Sequence, residues 1–332
     1  MGDHYHRTSP VTGESSNPMD DPRFMGMPTF MRTPIATTLE GLDIALVGVP
    51  LDSGVTNRPG TRHGPREIRN QSSNMRKIHP VTRINPYESC KVADVGDVRF
   101  ESIFDLGRAH DDIERFFRKL CEAGVVPLAA GGDHSISYPI LEAVAAQGPV
   151  GLIQIDAHTD TWDEFMGSRI HHGASFRRAA EDGLIDPRRT VQIGIRGAQG
   201  FSDGWDYSEQ TGMRLLFMHE VARLGIDRVV DEARRIVGDG PVYLTFDIDS
   251  IDPAFAPGTG TPEIGGFTTL EAQRLLWGLD GLDFVGADVV EVSPPFDPSG
   301  NTALVGATVM YEAVCLLAAA VRHKRPDCHP ER

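Results

Sequence analysis

Short apolar runs alternate along the chain with segments whose apolar residues fall at helical spacing. Residues 42–50, 125–130, 150–155, 191–195, 215–218, 242–246 and 284–290 are aliphatic or β-branched over strand length, which predicts buried strands. Between them, Leu106, Ile113, Phe116, Phe117 and Leu120 mark a helix over residues 106–123. Pro65 opens a shorter helix over 65–69, as proline at a first turn allows. Further helices are predicted at 227–237, 270–278 and 307–321, the last apolar enough for a core or subunit contact. Strand alternating with helix predicts an α/β fold, a single-domain three-layer α/β/α arrangement around a mostly parallel sheet.

Three of the strand ends carry chemistry. The run at 150–155 leads into Asp156-Ala157-His158-Thr159-Asp160, and strand alternation would put 156, 158 and 160 on one side. Two carboxylates with an imidazole suit a divalent cation. The run at 242–246 leads into Asp247-Ile248-Asp249, two acids that would face one way and repel unless a cation lay between them. The run at 125–130 leads into Gly131-Gly132-Asp133-His134. Surface or capping acids would account for any one of these, but three at successive strand ends point to a metal centre where α/β enzymes place their sites.

At 332 residues the chain suits one α/β unit. Residues 1–34, rich in Pro, Ser, Asp and Met without periodicity, read as an N-terminal arm; 35–325 form the catalytic domain and 326–332 a tail. His4 and His6 fall in the arm and read as part of a disordered tail. The formal charge of −15 argues against nucleic acid or an anionic membrane as partner and suits a cationic substrate. Cys90, Cys121, Cys315 and Cys328 have no Cys-x-x-Cys spacing, which reads as reduced thiols in a cytoplasmic protein. No signal-length run opens the chain, Gly2 lacks the Ser or Thr that myristoylation wants at position 6, and no segment reads as a membrane span. Gly258, Gly260, Gly265 and Gly266 suggest tight turns; no Lys-Ser/Thr follows them, which excludes a nucleotide loop.

The strand-end motifs, taken with His172-Gly173, Gly258-Thr259-Gly260-Thr261-Pro262-Glu263 and Glu291-Val292-Ser293-Pro294 in that order, resemble the signature of the ureohydrolases, the arginase and agmatinase family. The resemblance runs from about residue 40 to about 320. It implies an arginase-like fold and a hydrolase acting on C–N bonds of linear amidines. It also implies two divalent ions per subunit, manganese by family habit with nickel or cobalt compatible, and a homo-trimer or hexamer. His134, Asp156, Asp160 and Asp247 would hold one ion; Asp156, His158, Asp247 and Asp249 the other. Asp160 would pass a proton to the leaving nitrogen, His172 would shuttle protons to solvent, Glu291 would accept the guanidinium in a two-pronged contact, and Thr261 would lie near the same group. Asp133 and Asp252 would orient ligands. His171 reads as a structural histidine.

The guanidinium carbon is shielded by resonance and its nitrogens leave poorly, so the reaction needs a strong nucleophile and a proton for the departing amine. The substrate's tail would be read by the loop at 161–170. Trp162 stands where arginases carry a polar residue, which lowers arginine as a candidate, and Phe165 and Met166 would line an apolar channel. A 4-guanidinobutyrate or 3-guanidinopropionate tail would need a cation, from Arg169, Arg58 or Arg32. An agmatine tail would need Asp163 or Glu164, and the loop holds both signs. The motif from His172 to Arg178 resembles the guanidino-acid branch, guanidinobutyrase and guanidinopropionase, and favours guanidino acids; agmatine or a biguanide is the alternative. An imine or amide hydrolase of the same superfamily and a non-catalytic subunit are the competing readings; the complete set of six ligands weighs against a deacetylase-like enzyme and against the subunit, and urea release would separate an imine hydrolase.

Overall fold

The computed structural model describes residues 7–9, 11–200 and 202–324. Gly2, His4, His6, Cys328 and the tail at 326–332 lie outside the described residues. Eight strands form one sheet: β1 (Ile44–Val49), β2 (Val92–Asp97), β3 (Val126–Gly131), β4 (Val150–Ile155), β5 (Ile185–Ile195), β6 (Arg214–Phe217), β7 (Val242–Asp247) and β8 (Phe284–Val290). Their order is β2-β1-β3-β8-β7-β4-β5-β6, and every pairing is parallel. A parallel sheet must be covered on both faces, because its crossovers lay helices there.

Two hydrophobic cores do this. On one face, α1 (Gly64–Ser72), α7 (Ile226–Val237), α8 (Thr269–Gly278) and α9 (Asn301–Lys324) pack through Ile68, Val229, Leu275 and Met310 onto Leu46, Leu128 and Ile153. On the other, α2 (Leu106–Glu122), α3 (Ser137–Val144) and α4 (Ser175–Glu181) pack through Phe117, Ile140 and Phe176 onto Val47, Ala129 and Tyr243. Shorter helices α5 (Asp203–Thr211) and α6 (Met218–Leu224) flank β6. The chain is therefore a single α/β domain of three layers.

Two expectations change. α9 extends over 24 residues with a mean hydropathy of 2.0 in its most apolar window, long and apolar enough to cross a bilayer. It lies instead in the core, with 78% of that window buried. β2 has no apolar run to announce it, because a carboxylate sits inside it. Asp94 is buried and receives Arg69 Nε at 2.8 Å and Nη2 at 3.0 Å, with the Phe30 backbone N–H at 3.0 Å. The Phe30 N–H on Asp94 and the Met31 N–H on Ser72 Oγ anchor this stretch, and both side chains are buried in the core.

Removing one partner of a buried pair leaves the other charge uncompensated. Asp94→Ala should therefore lower unfolding free energy by about 3 kcal/mol, read as a fall in the urea midpoint at unchanged slope.

Candidate active site and metal centre

Four adjacent strands at the centre of the sheet, β3, β8, β7 and β4, end side by side and deliver the candidate residues. After β3, Gly132 donates its N–H to Val49 O, and a Cβ there would meet Leu51 O at 2.3 Å, so only glycine permits this approach. Asp133 then accepts from Ser135 N and Gly54 N, which opens the short turn that carries His134. After β4 the chain leaves the strand at once. Asp156 to Asp160 form a loop, with the His158 N–H on Asp156 Oδ1 at 2.7 Å and Asp160 in the left-handed region at φ 51°. Asp249 likewise sits in a 3-10 turn after β7 and donates its N–H to Asp247 Oδ1. The residues expected to converge by strand alternation converge by loop and turn hydrogen bonds, because the strands stop where the acids begin.

His134 Nδ1 lies 3.2 Å from Asp156 Oδ2, 2.8 Å from Asp160 Oδ2 and 3.2 Å from Asp247 Oδ2. His158 Nδ1 lies 3.0 Å from Asp249 Oδ2 and 3.6 Å from Asp156 Oδ1. His134, Asp156, Asp247 and Asp249 are at most 2% exposed, and His134 Nδ1 has no hydrogen-bond partner. Four buried acids crowd around two imidazole nitrogens, and such a set fits divalent cations. Burial, then Asp249 and Asp156, push Asp247 well above the usual carboxylate range, and burial raises Asp160. Burial lowers His134 and His158, but the surrounding carboxylates outweigh it and raise both.

Glu291 follows β8 with φ 63°, a second left-handed residue beside Asp160, and such backbone strain clusters at functional sites. Its Oε1 accepts from the His134 N–H at 2.9 Å and lies 2.8 Å from His172 Nδ1. Its Oε2 is buried without a partner. Oε1 thus has two partners and Oε2 has none. His172 Nε2 meets Thr56 Oγ1 at 2.7 Å and accepts the Thr56 N–H at 3.1 Å. Burial and that N–H oppose a charged imidazole, but Glu291, Asp160 and Asp133 prevail and hold His172 up at about 9.

A cavity of about 370 Å³ opens over these groups, lined among others by His158, Asp160, His172, Asp247, Trp162 and Thr261. Thr261 donates to Asp249 Oδ2 at 3.3 Å. Asn57, Arg58, Arg196, Gln199 and Glu263 also line it. Asp163 does not line it: that carboxylate is held by Arg169, Arg177 and Arg178. Arg169 and Asp163 therefore neutralise each other outside the cavity, Arg32 is tied to Pro18 O and Asp21 O, and Glu164 is absent from the lining. Phe165 packs against Trp162 and His171, and Met166 points to solvent at 92% exposure, so neither lines a channel. His171 is buried with both nitrogens unpartnered. Asp252 closes its own loop by accepting from Ala254, Gly265 and Gly266 N–H groups, and touches no ligand side chain.

Sequence reasoning missed Thr56, Arg196 and a polar layer of Gln154, Thr245 and Asp288. The last three were visible as polar interruptions of apolar runs, each two or three residues before a strand-end acid.

A parallel sheet whose central strand ends gather buried carboxylates and imidazoles is arranged to hold divalent cations at the end of the sheet. The sequence model of the arginase family matches residues 42–316. A guanidinopropionase of Pseudomonas aeruginosa is 53% identical over 93% of this chain and 98% of its own. A mitochondrial agmatinase of Gallus gallus is 48% identical over 89% of this chain and 87% of its own. The proclavaminate amidino hydrolase of Streptomyces clavuligerus superposes with a TM-score of 0.87 at 39% identity, over 90% of this chain and all of that one. The chain belongs to the arginase family.

Ligation requires neutral imidazoles and ionised carboxylates, whereas the metal-free cluster holds His134, His158, Asp160 and Asp247 toward their protonated forms. Metal loading near pH 7 should therefore release protons, and apparent affinity should rise with pH. Titration calorimetry in buffers of different ionisation enthalpy measures this; proton uptake would contradict it.

Proposed function

We propose that this protein hydrolyses the guanidino group of a linear guanidino acid, 3-guanidinopropionate or 4-guanidinobutyrate, to urea and an ω-amino acid. The observation that carries this reading is the guanidinopropionase likeness, 53% identity over nearly the whole of both chains. The cavity agrees with it. Arg58 lines the cavity, stands over the Phe296 ring at 5.2 Å and forms no ion pair among the described residues, so it can receive a carboxylate tail. The acids of the 161–170 loop that an agmatine tail would need lie outside the lining. Agmatine is the second reading, favoured by the agmatinase likeness and by Glu263 in the wall.

His134, Asp156, Asp160 and Asp247 would hold one ion, and Asp156, His158, Asp247 and Asp249 the other, with manganese the expected metal. When bound, the pair supplies a water activated for attack near neutral pH. The chain's own groups do the rest. Glu291 Oε2 accepts a guanidinium N–H and orients the carbon toward the cluster. Asp160 takes the proton released by the attacking water and delivers it to the departing nitrogen. His172, between Thr56 and Glu291 at the cavity wall, shuttles the second proton of that water between the site and solvent. Trp162 bounds the tail's side of the cavity, and Thr261 braces Asp249 beside the reacting group. A trimer or hexamer in the cytoplasm fits the family reading.

The test is urea release from 3-guanidinopropionate, 4-guanidinobutyrate, agmatine and arginine by manganese-loaded protein. A guanidino acid should give the highest kcat/KM, and Arg58→Ala should raise its KM by about tenfold, ~1.4 kcal/mol, with kcat little changed. Preference for agmatine, lost in Glu263→Gln, would replace this reading with the second. Glu291→Gln should keep both ions while kcat/KM falls at least ~100-fold; metal loss would show that Glu291 serves the ions instead.

A further inference from the structure

One row of the sheet lies immediately beneath the ligands. The strand register pairs Asp288 of β8 with Thr245 of β7, Thr245 with Gln154 of β4, and Gln154 with Gln192 of β5. Four polar side chains thus cross four strands inside an otherwise apolar sheet, each at most 1% exposed. Buried polar groups persist only when hydrogen-bonded, and these bond upward to the site as well as to one another. Gln192 Nε2 donates to Gln154 Oε1 and to Thr159 O; Gln154 Nε2 donates to Asp156 Oδ2 and His158 O.

The Thr245 hydroxyl is the most constrained member. It donates to Asp288 Oδ1 at 2.5 Å, while Ser137 Oγ and Tyr243 Oη donate to Asp288 Oδ2 at 2.7 and 2.8 Å. Asp288 is therefore surrounded by three hydroxyl donors. With its one proton committed there, Thr245 Oγ1 can only accept at its 2.7 Å contact with His134 Nε2. His134 must then carry a proton on Nε2. In the neutral ring that ligation requires, the Nδ1 lone pair then faces Asp156, Asp160 and Asp247, the orientation a metal needs.

We propose that Thr245 and Asp288 are positioning residues, a buried hydroxyl–carboxylate relay that fixes the Nε2–H form of His134 and presents its Nδ1 lone pair to one of the two ions. Asp288 acts only through Thr245: it orients the hydroxyl, and the hydroxyl orients the imidazole. The inference rests on the two-ion reading of the site and is independent of which guanidino compound is cleaved.

The experiment measures metal per subunit by mass spectrometry after dialysis against buffered free manganese, with circular dichroism as the check on folding. Wild type should hold two ions; fewer would overturn the two-ion reading itself, apart from the relay. In Thr245→Val, half-loading of one ion should move to about 10–100-fold higher free manganese while the other ion is unmoved. Thr245→Ser, which keeps the hydroxyl, should load like wild type. Asp288→Asn should weaken the same ion, and Asp288→Asn added to Thr245→Val should cost nothing more, since the relay is already cut. Wild-type loading of Thr245→Val, equal losses in the Ser and Val variants, or additive losses in the double variant would each overturn the relay. Should Thr245→Val not fold, Asp288→Asn is read in the same series, and its loading at wild-type manganese would overturn the proposal.

Discussion

The structure is built around an electrostatic demand: Asp156, Asp247 and Asp249, with Asp160 at 8% exposure, are crowded into the dry end of a sheet. Burial, then Asp249 and Asp156, push Asp247 well above the usual carboxylate range, whereas at Asp156 burial is outweighed by His134 and His158, which hold it below that range. Such a geometry is tolerable with protons shared between acids and imidazoles or with cations between them. Much of the surrounding architecture serves to hold them close despite repulsion. The parallel sheet brings four strand ends side by side, and helices seal both faces, so the cluster meets water through the cavity.

The site is layered. Ligands occupy the loops just past the strands, and a buried polar row sits one residue pair below them. Glu291 joins the layers, receiving the His134 backbone N–H and the His172 ring on one oxygen while the other is buried without a partner. Asp160 and Glu291 both adopt left-handed backbone, a strain tolerated because surrounding hydrogen bonds over-determine them, as Phe176 N on Asp160 O and Glu291 N on Gly132 O illustrate. The His134 ring is held on its far side as well, by Thr245 Oγ1 at Nε2.

Charge at the cavity mouth is arranged differently from the loop that neighbours it. Around Asp163, three arginines and Glu181 tie one another down on the surface. Arg58 stays open beside the cavity, and Arg196 is held by the carbonyls of Asp249, Glu263 and Gly194. The reading of the substrate's tail therefore rests on residues distant in sequence from the motif loop.

The strands at 44–49, 150–155, 242–247 and 284–290 and the long helices were legible because burial on both faces demands continuous apolar runs, a local property of the chain. So were the six candidate ligands, because acids and histidines concentrated just after such runs enter a dry environment that a cation makes tolerable. β2 was not legible, since its buried Asp94 is neutralised by Arg69, 25 residues away in sequence. Likewise the sequence alone could not decide among Arg169, Arg58 and Arg32, or give Thr245 and Asp288 a role. Those depend on which side chains already have partners and which strands lie in register, and both are consequences of contacts between residues far apart along the chain.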